Sequence, residues 1–371
     1  MDQPRKNGTT FLKGRYDERQ KREKSNTDNL ICLDQSLTRK CQTISFTKKK
    51  RPFESQTVAQ PKKKSQLYKV KDTLGIIIVP LAIPNKKKTT HNNLNQTLDF
   101  LIGVSQKYQQ EKEKINLIIE DSSLLEQNKL TRDHMEDYIS VKKNFLEDNM
   151  KLLYVLCDGH CGDSVAKLVN DRLPYIFEQT LLKFNFEIEK SLLESFCLMD
   201  EELTEFEESG TTCCLVYICI ENGERVVYSA NIGDSRTIIV KNKEAKRLSY
   251  DHKASDKSEA QRVKKEGGVI LRGRLYSTLA ITRAFGDYSF KGEVKGLINV
   301  PHITRTVIEK DDKYVIIASD GIWDVINEAK AFELIQKSDL KNSEDIVKLL
   351  VESSISFGSK DNISCIVIKL N

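Results

Sequence analysis

Leu152-Leu153-Tyr154-Val155-Leu156-Cys157-Asp158-Gly159-His160 is an unbroken apolar run that stops on an acidic residue and a glycine. A short continuous run of this kind reads as a strand buried on both faces, with its chemistry placed where the strand ends. The same reading extends outward. Phe100 to Val104, Cys213 to Ile220, Val226 to Asn231, Thr237 to Val240, Tyr314 to Ser319 and Ile363 to Leu370 also read as strands. Helices are expected over Ser164 to Leu182, Glu187 to Phe206, Ser255 to Glu266, Asn327 to Lys337, and Ser343 to Ser354 with Ser343 as N-cap. Joints such as Asn231 to Arg236 connect strands without a helix, which implies antiparallel hairpins. The expected class is α+β, two antiparallel β-sheets packed as a sandwich and flanked by helix pairs on both sides.

Acidic residues recur at the strand ends. Tyr314 to Ser319 runs into Asp320-Gly321 with Asp324 beyond, Asp361 opens the last strand, Asp234 sits in a turn between two strands, and Glu136-Asp137 precedes Tyr138 to Val141. Carboxylates gathered at one edge repel one another and resist desolvation, so such a set calls for a hard cation. Oxygen ligands without a Cys or His pairing favour Mg2+ or Mn2+ over zinc. Either Asp-Gly taken alone is also an ordinary turn.

With 371 residues the chain has room for one large domain or two ordinary ones. Hydrophobic residues make up 39%, charged residues 30%, and the mean hydropathy of −0.46 indicates a polar excess. That excess is concentrated in residues 1–70, which hold too little apolar surface to offset the entropy of ordering and are expected to form a basic disordered tail. Much of the formal net charge of +5 lies in the runs Lys48 to Arg51 and Lys62 to Lys64. The body is therefore nearer neutral, which argues against nucleic acid as a main partner except weakly through the tail. Residues 71–97 comprise an apolar stretch, Leu74 to Val79, with no evident partner, and a polar linker. Nine cysteines without a CxxC pair argue against a disulfide framework or zinc cluster and are expected as small core residues. No apolar leader is evident at Met1, and Leu74 to Pro84 is too short to span a membrane, so an intracellular location is expected.

Seven motifs then occur in order: Thr131 to Asp137 (TRDHMED), Cys157 to Gly162 (CDGHCG), Ser209 to Thr212 (SGTT), Ile232 to Arg236 (IGDSR), Thr282 to Asp287 (TRAFGD), Ala318 to Asp324 (ASDGIWD) and Ser359 to Asn362 (SKDN). Together they resemble the metal-dependent serine/threonine phosphatase family, the type 2C protein phosphatases, over roughly residues 98–371. The resemblance implies two metal ions bridged by Asp158, one also held by Glu136 and the carbonyl of Gly159, the other by Asp320 and Asp361. Asp234 and Asp324, with Asp320, match a weaker third metal site. Arg132 matches the residue that holds the substrate phosphate, and His160 matches the proposed proton donor. The implied reaction is hydrolysis of phosphoserine or phosphothreonine in protein substrates by a hydroxide activated between two metals. A monomer is expected. A catalytically weak phosphoprotein-binding scaffold of the same fold is the alternative, against which retention of Glu136, Asp158, Asp320 and Asp361 argues.

Two departures stand out. Gly103-Val104-Ser105 is separated from Arg132 by a charged stretch, read as an insertion over 106–131 that is either a surface loop or a gate near the site. The family's Asn-Gly before the Leu-Ala-x-x-Arg-Ala pattern is replaced by Tyr276-Ser277, which cannot take a left-handed turn at equal cost. The two basic runs of the tail resemble a two-part nuclear import signal, so nucleus and cytoplasm are the expected locations.

Overall fold

The computed structural model describes residues 119–370. The tail 1–70, the segment 71–97, the strand expected at 100–104 and residues 106–118 lie outside the described residues. Strands β1 (Glu120–Glu126), β14 (Ile363–Lys369), β13 (Asp312–Ala318), β7 (Arg236–Lys241) and β8 (Ala245–Arg247) form one sheet in that order. A second sheet runs β11 (Phe285–Gly286), β4 (Gly210–Thr211), β3 (Leu152–His160), β5 (Cys213–Glu221), β6 (Glu224–Ile232), β12 (His302–Val307), with β2 (Asp137–Lys142) also paired to β3. Every strand pair in the two sheets is antiparallel. The helices are α1 (Ser164–Lys183), α2 (Ile188–Glu201), α3 (Lys257–Lys265), α4 (Tyr288–Glu293), α5 (Asp320–Trp323), α6 (Glu328–Ser338) and α7 (Ser343–Ser356). A small ribbon, β9 (Ile270–Leu271) with β10 (Arg274–Leu275), lies between α3 and β11 in the chain.

Alternation along β3 builds the layers. Leu152, Tyr154 and Leu156 pack with Cys214, Val216 and Ile218 of β5 against Ile239, Val315, Ile317, Ile366 and Ile368 of the other sheet. Leu153, Val155 and Cys157 pack instead with Val169, Leu173 and Phe177 of α1 and with Leu192 and Phe196 of α2. The outer face of the first sheet is covered in the same way, Ile238, Ile316 and Val367 meeting Ile335 of α6 and Ile346 and Leu350 of α7. The expected α+β sandwich is present, four layers with each buried large side chain contributing roughly 1.5–3 kcal/mol.

Several boundaries differ from the sequence expectation. The N-cap of α7 is Asn342, whose Oδ1 accepts from the Asp345 N–H at 2.7 Å, and not Ser343. Ser343 is taken up by Glu120, which receives its backbone N–H at 2.6 Å. Helix α2 stops at Glu201, after which Leu203 N–H closes a tight turn on the Asp200 carbonyl. Residues 120–126, inside the segment read as an insertion, form edge strand β1, paired with β14 from Glu120↔Lys369 to Glu126↔Ile363. Cys157, Cys213, Cys214, Cys219 and Cys365 are buried as expected, but Cys197 is half-buried and Cys161 is exposed and so is no core residue. Tyr276 and Ser277 do adopt left-handed backbone, at φ 47° and 64°, and bear its steric cost. No described helix is long and apolar enough to cross a membrane.

Candidate active site

Strand register brings the acidic ends to one edge. Asp158 lies opposite Asp137 across β2 and β3. Ala318, two residues before Asp320, pairs with both Cys365 of β14 and Arg236 of β7, which places Asp320, Asp361 and the Asp234 turn at a common edge of the other sheet. The two edges are joined by a hydrogen bond from Ser364 Oγ of β14 to Asp137 Oδ2 of β2.

The electrostatics follow from burial. Desolvation pushes the Asp158 carboxyl well above its ordinary range, and the charges of Asp137, Asp320, Asp234 and Asp361 push it further. Asp320 is raised well above its usual value by burial and then by Asp234, Asp361 and Asp324, against the opposing pull of Lys253. Burial also raises Asp234, despite the attraction of Lys253. Asp137 is pushed up to about 6, burial outweighing the hydrogen bonds it accepts from Ser364 and Ser319. A folded chain that keeps buried Asp137 and Asp234 beside half-buried Asp158 and Asp320, all mutually repelling, has built a demand for positive charge.

Glu136 and Gly159 are held together. The Gly159 N–H donates to the Glu136 carbonyl at 3.2 Å, and a Cβ on Gly159 would come within 2.6 Å of that oxygen, so only glycine fits this approach. The Glu136 carboxylate accepts from the Gly162 N–H at 2.6 Å. Asn362 fixes the loop before β2, donating from Nδ2 to the carbonyls of Gln127 (2.9 Å) and His134 (3.0 Å) and accepting the Glu136 N–H (2.9 Å). That loop carries Arg132, whose guanidinium pairs with Asp361 and donates from Nε to the Lys360 carbonyl at 3.3 Å. Both members of the pair stay accessible, with side chains 41% and 33% exposed.

Asp324 stands apart from this set. Its side chain is 58% exposed and accepts from Lys253 Nζ at 2.7 Å, while the same ammonium lies 3.5 Å from Asp234 Oδ2. A lysine therefore bridges the two carboxylates to which the resemblance gives a third ion. Among the described residues, the one trio of acidic side chains with ligand oxygens all within 4.8 Å of one another lies elsewhere, at Glu309, Asp311 and Asp312. Lys241 already offsets part of its charge, 2.8 Å from Asp312 and 2.9 Å from Glu309. The strand-end carboxylates are thus neighbours electrostatically while Asp361 and Asp324 are each engaged by a basic side chain.

His160, the last residue of β3, presents Nε2 3.0 Å from both carboxylate oxygens of Asp287. Four further positions that contact the candidate site are not singled out by the sequence: Asp137, Lys253, Asp287 and Asn362. Asp137, Asp287 and Asn362 were inside quoted motifs, and the available signal for Asp137 was strand pairing, which sets it directly across from Asp158.

The protein phosphatase 2C family model matches residues 123–363. The chain is 34% identical to protein phosphatase 2C homolog 1 of Saccharomyces cerevisiae over 260 residues, 66% of this chain and 90% of the yeast protein. It is 32% identical to probable protein phosphatase 2C 7 of Oryza sativa subsp. japonica, over 64% of this chain and 63% of the rice protein. A crystal structure of serine-threonine phosphatase 2C from Toxoplasma gondii superposes with a TM-score of 0.57 at 17% identity, covering 69% of this chain and 96% of that one, which is a likeness of fold. On the family match and the yeast relative together, the chain belongs to the protein phosphatase 2C family and is a protein-serine/threonine phosphatase.

Proposed function

We propose that this chain hydrolyses phosphoserine and phosphothreonine in proteins with two divalent cations, magnesium or manganese, held by Asp158, Glu136, the Gly159 carbonyl, Asp320 and Asp361. One observation carries the proposal: half-buried Asp158 lies directly across the strand pair from Asp137, and desolvation with the charges of Asp137, Asp320, Asp234 and Asp361 raises its carboxyl well above the usual range, a demand that a cation meets. Oxygen-only donors suit these hard ions. Bound there, the cations would supply counter-charge to the substrate phosphate and lower the pKa of an attacking water.

The chain's own residues do the rest. Arg132 offers a planar, permanently charged fork to the phosphate oxygens, and its exposed side chain can exchange Asp361 for the substrate. His160 gives a proton to the departing seryl or threonyl oxygen. Asn362 and Gly159 keep the Arg132 loop and Glu136 in register with Asp158. Asp234 and Asp324 suit a weaker third ion that has to displace the Lys253 ammonium. The basic runs Lys48 to Arg51 and Lys62 to Lys64 support nuclear entry, which a fluescent fusion lacking residues 1–70 tests by moving to the cytoplasm. The test of the function is hydrolysis of a phosphothreonine peptide, and of its phosphotyrosine counterpart, with magnesium or manganese and with a chelator. Phosphothreonine turnover that the chelator abolishes is expected; turnover that survives exhaustive chelation refutes the reading.

A further inference from the structure

We infer that Asp287 is a positioning residue that fixes the ring of His160 for proton delivery, an inference that rests on the role given to His160 under the proposed function. The carboxylate sits at the N-cap position of α4, where an Asp ordinarily accepts the backbone N–H groups of the first helical turn. It makes no such cap. Both of its oxygens lie 3.0 Å from His160 Nε2 instead. Asp287 is 3% exposed and holds a left-handed backbone at φ 51°, a conformation that an Asp adopts at a cost and that the surroundings must enforce.

The enforcement is visible on every side. The Asp287 N–H donates to the Ser209 carbonyl at 2.9 Å, and β4 pairs with both partners, Gly210 lying opposite His160 on one flank and Gly286 on the other. A Cβ at Gly210 would fall 2.3 Å from Asp287 Oδ2 and 2.7 Å from His160 Nε2, so the glycine of the Ser-Gly-Thr-Thr motif is what lets the pair meet. Behind it, Lys291 Nζ grips both oxygens of the buried Asp200 at 2.6 and 2.7 Å, and Asp200 receives the Gly286 N–H at 3.1 Å. A carboxylate only accepts hydrogen bonds, so the contact holds one hydrogen on Nε2, and the proton given to the leaving oxygen is the second one, carried on Nδ1 when the ring is doubly protonated.

Kinetics with two leaving groups test this, because a seryl or threonyl oxygen needs a proton and a nitrophenolate does not. Asp287→Asn should lower kcat on a phosphothreonine peptide about 10- to 100-fold, with KM within about 2-fold, and change p-nitrophenyl phosphate turnover by less than about 3-fold. In a His160→Ala background it should add nothing further. Ring 15N shifts of the neutral His160 ring in the folded chain should report hydrogen on Nε2 and lose that preference in Asp287→Asn. Equal losses on both substrates, a loss that adds to that of His160→Ala, or a neutral ring in the unaltered chain whose hydrogen sits on Nδ1 and not on Nε2 overturns the inference. If His160→Ala is impaired on the peptide and Asp287→Asn is not, the inference alone falls; if His160→Ala turns the peptide over normally, the proton-donor role falls and takes the inference with it.

Discussion

Replacing Glu259 with Gln should destabilise the folded chain by about 3–5 kcal/mol, the range for removing one partner of a buried ion pair. Glu259 is 3% exposed and accepts from Arg283 (2.7 and 3.2 Å), from Arg262 (2.8 and 3.1 Å) and from Thr282 Oγ1 (2.6 Å). Burial alone would raise its pKa, but the hydrogen bonds and charges of Arg283 and Arg262 outweigh burial and hold it well below the usual carboxylate range. Gln keeps the shape but takes the carboxylate from Arg283 and leaves Arg262 paired only with Glu266, 2.9 Å from its Nη1. Thr282 also donates its N–H to the His252 carbonyl at 2.9 Å, so the cluster anchors the segment that carries Lys253 toward Asp234 and Asp324. In thermal melts, Tm should drop by about 6–20 °C, at 2–4 °C per kcal/mol for a domain of this size. The pH dependence has a definite sign. A depressed folded-state pKa contributes stability that is complete above the unfolded value and is lost as pH falls from there through the folded value, so part of the acid-side loss should vanish in Glu259→Gln. A change under about 1 kcal/mol, or an acid limb identical to that of the unaltered chain, would refute the reasoning.

Asp320→Asn and Asp361→Asn should lose activity at low manganese and regain part of it at high manganese, since each removes one expected ligand charge; a manganese titration that rescues neither argues for another role. Arg132→Ala should raise KM for a phosphothreonine peptide about 10-fold or more, and by releasing Asp361 it should tighten metal binding measured by calorimetry; an unchanged KM at saturating metal contradicts the phosphate role. Ser277→Gly should stabilise by about 0.5–1 kcal/mol, relieving one left-handed non-glycine residue against the extra freedom of glycine in the unfolded chain; urea melts showing a loss would mean that the turn is not strained there.

Much of the architecture was legible because buried strands announce themselves. The run Leu152 to Cys157 supplies apolar side chains to both faces, and the acidic residue at its end follows from the strand's length. Strand β1 was hidden for the opposite reason. Glu120-Asp121-Ser122-Ser123-Leu124-Leu125-Glu126 has almost no apolar alternation, and its conformation is dictated by backbone pairing with β14 and by Glu120 binding Ser343, neither of which is local. The candidate ligands were legible as residue types at strand ends. Their partners were not: Lys253 reaches Asp324 across 71 positions, Asp287 reaches His160 across 127, and Asn362 reaches His134 across 228. Contacts of that separation are set by strand pairing within a sheet and by the packing of its neighbours, and a short motif carries no record of them.

Titration of manganese into chelator-treated protein, followed by calorimetry with activity on a phosphothreonine peptide measured at each addition, tests the central claim most directly when it is run on the unaltered chain and on Asp158→Asn. The account predicts that hydrolysis rises with occupancy of the carboxylate site in the unaltered chain, and that Asp158→Asn stays folded but loses both the tight binding and nearly all turnover. Full hydrolysis by Asp158→Asn, or by the unaltered chain before any manganese is added, would contradict it.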